Sequence, residues 1–284
     1  MVCALLVVAL YVVFVQTRVG QRIDDAALDG RASLAAQDVQ DADDLLQTIS
    51  LSSVALLGGA VVLVGLVRGG LPLGGVAAVV LAGANVATQA MKEVLPRPDL
   101  ITGENHLGIG NSLPSGHTTV AMSIAIAALL VAPRRYRGPV AIVGIAYAGG
   151  IGVAVLTAGW HRPSDAVAAF AMVIAWGAAA AALLVAAERP ALQPARSSSR
   201  YATPLLVLVG VALSAAAFIG LVVVLAARRL GRLDAIDFGQ AYAGATVAIV
   251  GAALLLTGIF LAVLRPVSLD GRGASTRQAT ERVP

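Results

Sequence analysis

The stretch NSLPSGHTTV, Asn111–Val120, is a short polar turn that leads directly into a long apolar run, Thr118–Ala132. The run has the composition of a membrane-embedded helix, so the turn before it lies at a helix start. Proline suits the first turn of a helix because its missing N–H group costs nothing there. The stretch therefore predicts a helix whose first turn includes Pro114.

A helix start of this kind is an anion site, because its first backbone N–H groups point outward and carry the positive end of the helix dipole. We expect Ser115, Gly116 and His117 to lie in that turn with free N–H groups. Gly116 lets a phosphate approach the backbone closely. The alternative is an ordinary helix start with Ser112 or Ser115 as its cap, which leaves the histidine unexplained.

The composition of the whole chain identifies a membrane protein. It has 284 residues, of which 58% are hydrophobic and 13% are charged, whereas soluble domains carry about 25% charged residues. The 30 glycines predict closely packed membrane helices. A formal net charge of +4 is spread over the loops, so nucleic acid is not an expected partner. Cys3 is the one cysteine and is expected to act as a small buried hydrophobe.

Apolar runs long enough to cross about 30 Å of hydrocarbon predict an all-α integral membrane protein with eight spans. We expect a six-span core at 1–188, a cytoplasmic linker at 189–203, a two-helix extension at 204–264 and a disordered tail at 265–284. The predicted spans are Val2–Val15, Leu51–Val67, Leu71–Met91, Thr118–Ala132, Pro139–Ala158, Ala166–Ala187, Pro204–Ala227 and Ala241–Leu264.

The distribution of basic residues predicts the orientation. Eight spans place 11 arginines on the face that holds both termini, and 9 lysines and arginines on the other. Basic residues favour the cytoplasmic side, so we expect cytoplasmic termini. The acidic loop Arg18–Ser50 then lies outside, as a solvated loop or short surface helix; a lid over the site is the alternative. His106, in another outer loop, is expected to face solvent.

Two further polar breaks fall on the predicted outer face. The first, Met91–Leu100, reads MKEVLPRPDL and places Lys92 and Arg97 at a helix end. Taken alone, these cations are expected to snorkel toward the membrane surface. Prolines at 96 and 98 stop the helix and keep the two cations near one another.

The other break, Thr157–Val167, reads TAGWHRPSDAV. Asp165 follows His161 by four residues, so its carboxylate can bond the imidazole Nδ1–H and leave Nε2 free to attack. An acid favoured by the helix dipole is the alternative for Asp165. Trp160 is expected in the interfacial aromatic belt. Because the topology brings all three breaks to one depth on one face, we expect their side chains to form a single site.

The three breaks resemble the signature of the type 2 phosphatidic acid phosphatase superfamily, the lipid phosphate phosphatases. That signature is Lys-x6-Arg-Pro, Pro-Ser-Gly-His and Ser-Arg-x5-His-x3-Asp. The second piece is matched in full at 114–117, and the His-x3-Asp part of the third is matched by His161 and Asp165. The first-motif arginine falls on Asp99, and the third-motif Ser-Arg pair falls on Ala154 and Val155.

The resemblance implies a role for each residue. His161 is the implied nucleophile, Asp165 orients it, and His117 is the implied general acid. The implied phosphate ligands are Lys92, Ser115 and Gly116, while Arg97 and Arg162 are candidates to replace the two missing arginines. The family needs no metal, so we expect no cofactor.

The function expected from these residues is hydrolysis of a membrane lipid phosphate at the extracytoplasmic face. Phosphatidic acid, phosphatidylglycerol phosphate and a polyprenyl pyrophosphate such as the undecaprenyl compound are the candidate substrates, and the bilayer is the expected surrounding. One alternative is a non-catalytic lipid-binding or lipid-transporting bundle, suggested by Asp99 and Val155. Another is transfer of the phosphoryl group to an acceptor other than water. The sequence predicts no oligomeric state.

Overall fold

The computed structural model describes residues 1–101, 110–188, 199–229 and 237–265. These residues form helices and no strand, as the composition predicts. His106, the larger part of the predicted linker and all but the first residue of the predicted tail lie outside them. The α-helices are α1 Val2–Leu10, α2 Arg18–Asp29, α3 Ala36–Gln47, α4 Leu51–Val94, α5 Gly116–Val131, α6 Arg137–Thr157, α7 Pro163–Glu188, α8 Ser199–Arg229 and α9 Phe238–Leu264.

The longest helix, α4, is broken into two antiparallel arms. Its backbone leaves helical geometry at Gly69 and at Gly70, where φ is +66°, a conformation that glycine adopts without a steric cost. A Cβ placed on Gly65 would lie 2.9 Å from Gly74 Cα, and one on Gly58 would lie 3.5 Å from Leu81. Residues 51–68 and 71–94 therefore form a hairpin whose arms match two separately predicted spans.

By length and composition, five of the described helices can cross a membrane, or six if the bent N-terminal pair counts as one span. That count takes both arms of α4 together and sets aside α5, which is apolar but has only 16 residues. The chain is therefore consistent with a multi-pass membrane protein. The finer prediction of eight spans stays a prediction.

The N-terminal segment does not follow the expectation for residues 18–50. Helix α1 continues as a π-helix to Val15, and the chain then turns by 87° into α2. Helix α2 is amphipathic, yet Gln21, Asp24 and Asp25 are buried in it. The prediction of a solvated loop is wrong for α2, because its polar face packs against the protein. It suits α3 better, whose acids are mostly exposed.

The C-terminal helices pack against the core. A Cβ on Gly152 of α6 would lie 3.0 Å from Ile249 of α9, so the missing side chain lets these helices approach closely. Helix α8 begins at Ser199 rather than at Pro204, which places the last five residues of the predicted linker in a helix. Tyr242 of α9 reaches the site end of α6, where its hydroxyl lies 2.7 Å from Thr157 Oγ1.

Candidate active site

The turn before α5 is a capped helix start. The helix begins at Gly116, and the side chain of the buried Ser115 accepts a hydrogen bond from Thr118 N at 3.4 Å. The cap alternative for Ser115 is therefore confirmed. The expectation that Pro114 occupies the first turn is wrong, because Pro114 precedes the cap. Proline still suits this place, since its ring restricts the backbone that enters the helix.

The backbone of this turn is joined to the start of α7. Ser115 N donates to the carbonyl oxygen of Asp165 at 2.9 Å. The N–H of Ser115 is thus occupied, contrary to the expectation that it is free for an anion. The N–H groups of Gly116 and His117, at the first two helical positions, have no partner within the helix. They are therefore the N–H groups of the turn that remain available to an anion.

A cation and an amide stand directly over Gly116. A Cβ on this residue would lie 3.7 Å from both Lys92 Nζ and Gln89 Nε2. Lys92 therefore lies where the sequence predicts a phosphate ligand. Gln89 was missed, although it precedes Lys92 by three residues and so shares its helix face. Gln89, Lys92 and Gly116 line the same cavity.

The His161–Asp165 pair has the predicted geometry. His161 Nδ1 lies 3.1 Å from Asp165 Oδ2, and the same oxygen accepts from Arg162 N at 3.1 Å. The Asp165 side chain is fully buried, whereas that of His161 is 12% exposed. A histidine whose Nδ1 bonds a carboxylate carries its free lone pair on Nε2. This arrangement suits a nucleophile that faces a cavity.

The loop that presents His161 is set by the end of α6. Gly159 has φ of +78°, and the N–H groups of Trp160 and His161 both donate to the carbonyl of Val155, at 2.9 and 3.0 Å. This is a glycine-terminated helix end in which the chain reverses direction. The Val155 side chain is fully buried. Because Val155 stands at the position of the family's third-motif arginine, the site lacks that cation.

His117 and His161 face the same space. They line one cavity with Lys92, and the three side chains interact electrostatically. The His117 ring also packs edge-on against Trp160, with ring centroids 5.1 Å apart and planes at 64°. Trp160 is 37% exposed, and the interfacial prediction did not include its contact with His117.

The Arg97 guanidinium lies near the site, where it interacts electrostatically with Asp165 and Arg162. Its Nη1 and Nη2 atoms are buried and have no hydrogen-bond partner among the described residues. Burial and the neighbouring Arg162 lower the pKa of Arg97, whereas Asp165 and Asp24 oppose that shift. A buried guanidinium without hydrogen bonds is costly unless an anion completes it. Asp99, at the family's arginine position, is exposed.

Arg162 occupies a different environment. Its side chain is 1% exposed, and its Nε lies 2.5 Å from Asp25 Oδ1. The next residue but one, Ser164, donates from its N to Asp24 Oδ1 at 3.2 Å and from its Oγ to Oδ2 of the same carboxylate. Protein carboxylates therefore occupy the N-terminus of α7, whereas the N-terminus of α5 lines the cavity. The role of Arg162 in phosphate binding stays a prediction.

Asp24 and Asp25 are site neighbours that the sequence reasoning missed. Burial, followed by the charge of Asp165, raises the pKa of Asp24 to about 7. One signal was present in the sequence: Gln21, Asp24 and Leu28 recur at helical spacing, which puts polar residues on the face of α2 that packs inward.

A groove of about 820 Å³ runs from the site along the α4 hairpin. Its site end holds Lys92, His117 and His161, and its far end is lined by small and apolar residues such as Gly59 and Ala78. From Lys92 to Ala78 the helix rises by about 20 Å. The groove thus joins a charged end to an apolar channel.

Within the described part of the chain, no group of three His, Cys, Asp or Glu side chains could hold a metal ion. Residues 69–191 match the model of the PAP2 superfamily. That segment includes all eight residues predicted for the site. No curated protein and no solved structure matches the chain. The match over this segment supports its similarity to the type 2 phosphatidic acid phosphatase superfamily.

Proposed function

We propose that the protein hydrolyses a phosphomonoester or pyrophosphate of a membrane lipid, through a phosphohistidine at the extracytoplasmic face. The match of residues 69–191 to the PAP2 superfamily model supports phosphatase activity on phosphoesters. The observation that carries the mechanism is the His161–Asp165 pair at 3.1 Å, set in one cavity with His117 and Lys92.

In the first step, Nε2 of His161 attacks the terminal phosphorus. An N–P bond forms while the P–O bond to the leaving group breaks, and His117 gives its proton to the departing oxygen. Asp165 stabilises the positive charge that develops on His161. Lys92, Arg97 and the N–H groups of Gly116 and His117 stabilise the negative charge on the phosphoryl oxygens.

In the second step, water replaces the leaving group. His117, now neutral, accepts a proton from the water as it attacks phosphorus, the N–P bond breaks, and the electron pair returns to His161 Nε2. Inorganic phosphate then leaves the open end of α5. Microscopic reversibility assigns the acid and base roles to the same imidazole. The mechanism requires no metal ion.

The shape of the groove supports a lipid as substrate. Its charged end suits a phosphate, and its apolar length of about 20 Å suits a hydrocarbon chain. The opening lies against the α4 hairpin, where many side chains, including Leu51 and Leu57, are exposed. In a membrane, these residues face lipid, so a substrate can enter sideways. The candidates are phosphatidic acid, phosphatidylglycerol phosphate and polyprenyl pyrophosphate.

Phosphate release by the purified protein in detergent tests the proposal. We expect the wild type to release phosphate from at least one of the three lipids and His161→Ala to release none above background. A quench within milliseconds traps an acid-labile phosphohistidine only in the wild type. Equal release by both proteins from every lipid would rule out His161 as the nucleophile.

A second candidate is a lipid-binding or lipid-transporting bundle without turnover. The buried Val155 and the exposed Asp99 favour it, because each stands where the family carries an arginine. It predicts saturable binding of a lipid phosphate with no phosphate release and no trapped phosphohistidine. Transfer to another acceptor is distinguished by product analysis with and without a second lipid.

A further inference from the structure

Residues 11–25, hereafter the N-terminal brace, contact the active site from outside the matched segment 69–191. They include the end of the first helix, the 87° turn and most of α2. The brace makes two separate sets of polar contacts with the site. One holds the loop of Arg97, and the other holds the start of α7.

The first set fixes the carbonyl groups on both sides of Arg97. Tyr11 Oη and Gln16 Nε2 donate to the carbonyl of Pro96, at 2.7 and 2.8 Å. Gln21 Nε2 donates to the carbonyl of Pro98 at 2.8 Å, and its Oε1 accepts from Leu100 N at 3.4 Å.

Gln21 is only 4% exposed and also donates to the Val15 carbonyl at 2.8 Å. Its amide thus makes three hydrogen bonds that join the turn of the brace to the Arg97 loop. Such a fully bonded buried amide specifies a single arrangement of the groups around it.

The second set fixes the residues next to the nucleophile. Asp25 pairs with Arg162, and Asp24 accepts both hydrogen bonds from Ser164. Arg162 adjoins His161 in the chain, and its backbone N–H bonds the same Asp165 oxygen as His161 Nδ1. A displacement of Arg162 therefore moves the carboxylate that orients His161.

We propose that the N-terminal brace is a positioning element of the active site. Gln21 and Tyr11 set the place of the Arg97 guanidinium, and Asp25 sets the His161 loop through Arg162. The proposal rests on the proposed function for the roles of Arg97 and His161. It gives a fixed position to the loop that carries Arg97, two residues away from the family's arginine position.

Binding of inorganic phosphate to the purified full chain, measured by isothermal titration calorimetry, tests the first contact set without a lipid substrate. We expect Gln21→Met to weaken phosphate binding about tenfold. This is the effect of losing about one hydrogen bond, here between Gln21 and the loop that carries the Arg97 charge. Tyr11→Phe removes one hydroxyl and is expected to act in the same direction with less effect. Gln40→Met and Tyr136→Phe, at exposed positions, are the matched controls and should leave binding unchanged.

A double-mutant cycle separates positioning from general destabilisation. In an Arg97→Ala background, Gln21→Met is expected to cause no additional loss of phosphate binding. An equal loss in both backgrounds, or wild-type binding by both folded brace variants, would overturn the first part of the proposal. Folding of each variant is checked by its thermal unfolding temperature.

Asp25→Asn tests the second contact set, with Asp38→Asn on the exposed face of α3 as its control. We expect kcat for the best lipid substrate to fall about a hundredfold with little change in KM, because small displacements of a reacting group cost that much. An unchanged kcat would overturn this part. If the wild type itself hydrolyses no lipid, the proposed function fails, while the phosphate-binding cycle still tests the brace.

Discussion

His161 and Asp165 meet through Nδ1 and Oδ2 at 3.1 Å, one helical turn apart on either side of the α7 start. The carboxylate is fully buried, so no water can replace His161 as its hydrogen-bond partner. We expect Asp165→Asn to lower kcat by about 10²- to 10⁴-fold, because an amide in this place favours the wrong imidazole tautomer. Single-turnover kinetics of phosphohistidine formation measures the effect. A variant that forms the intermediate at the wild-type rate contradicts the orienting role.

The unpartnered Arg97 guanidinium leads to a prediction about phosphate affinity. Arg97→Ala is expected to raise KM and the inhibition constant of inorganic phosphate by at least about tenfold, since it removes a charge-assisted contact. Arg97→Lys restores only part, because it lacks the planar fork. Arg135→Ala, at an exposed arginine outside the brace and the site, is the control.

Arg162→Ala is the companion measurement. If Arg162 also binds phosphate, its loss weakens inorganic phosphate binding as strongly as the loss of Arg97. If it acts through Asp25 alone, kcat falls while phosphate binding is kept. No effect of either arginine on phosphate affinity would show that neither replaces the family's missing cations.

Gly116 offers a prediction that separates stability from binding. A Cβ at this position meets only Lys92 Nζ and Gln89 Nε2 at 3.7 Å, an ordinary contact. Gly116→Ala is therefore expected to leave the unfolding temperature unchanged or to raise it, as the backbone is helical there. The added methyl group occupies the place of the anion, so phosphate binding and activity fall together. Calorimetric unfolding combined with phosphate titration checks both parts.

The groove predicts dependence on the lipid chain. A Cβ on Gly59 has nothing within 4 Å and faces the groove, and Gly75 on the other arm is equally open but does not line it. Gly59→Phe is expected to lower activity on a long-chain lipid phosphate at least about tenfold while sparing a soluble short-chain ester. Gly75→Phe is the matched control. An equal effect of both variants on both substrates argues against a chain in the groove.

The buried Asp24 predicts a pH effect on stability. Its pKa is raised from 3.8 to about 7, so the folded protein keeps a proton that the unfolded chain releases. Stability from this group is therefore greatest at low pH and declines as pH rises from about 4 to about 7. Asp165, Ser164 and Arg162 face it from α7, and Arg97 interacts from its loop.

Asp24→Asn removes this titration. Thermal unfolding of wild type and variant between pH 5 and 8 is expected to show the wild type losing stability relative to the variant as pH rises. A constant difference across that range would show that Asp24 does not titrate there. Asp38→Asn, exposed on α3, controls for loss of an acidic charge.

Local composition was enough to predict much of the fold. The helices match the predicted apolar runs within a few residues. In lipid, an isolated segment can pair all of its backbone N–H and C=O groups only by forming a helix. The predicted start of α5 was two residues too early. Ser115 is the N-cap, because its hydroxyl accepts a hydrogen bond from Thr118 N, and the helix therefore begins after Pro114. The prediction that residues of α2 are solvated was also wrong, because it did not include contacts with distant parts of the chain. Buried acids in α2 gain partners from residues about 140 positions away.

The sequence by itself determined the membrane class, the three polar breaks and the His161–Asp165 spacing, because hydropathy and helical periodicity are local properties. Only the tertiary structure decided the surroundings of the candidate cations. Among the described residues, it left the Arg97 terminal nitrogens buried without a partner, paired Arg162 with Asp25, and brought residues 11–25 against both. Those contacts join distant parts of the chain, and their energies depend on burial, which no local pattern specifies.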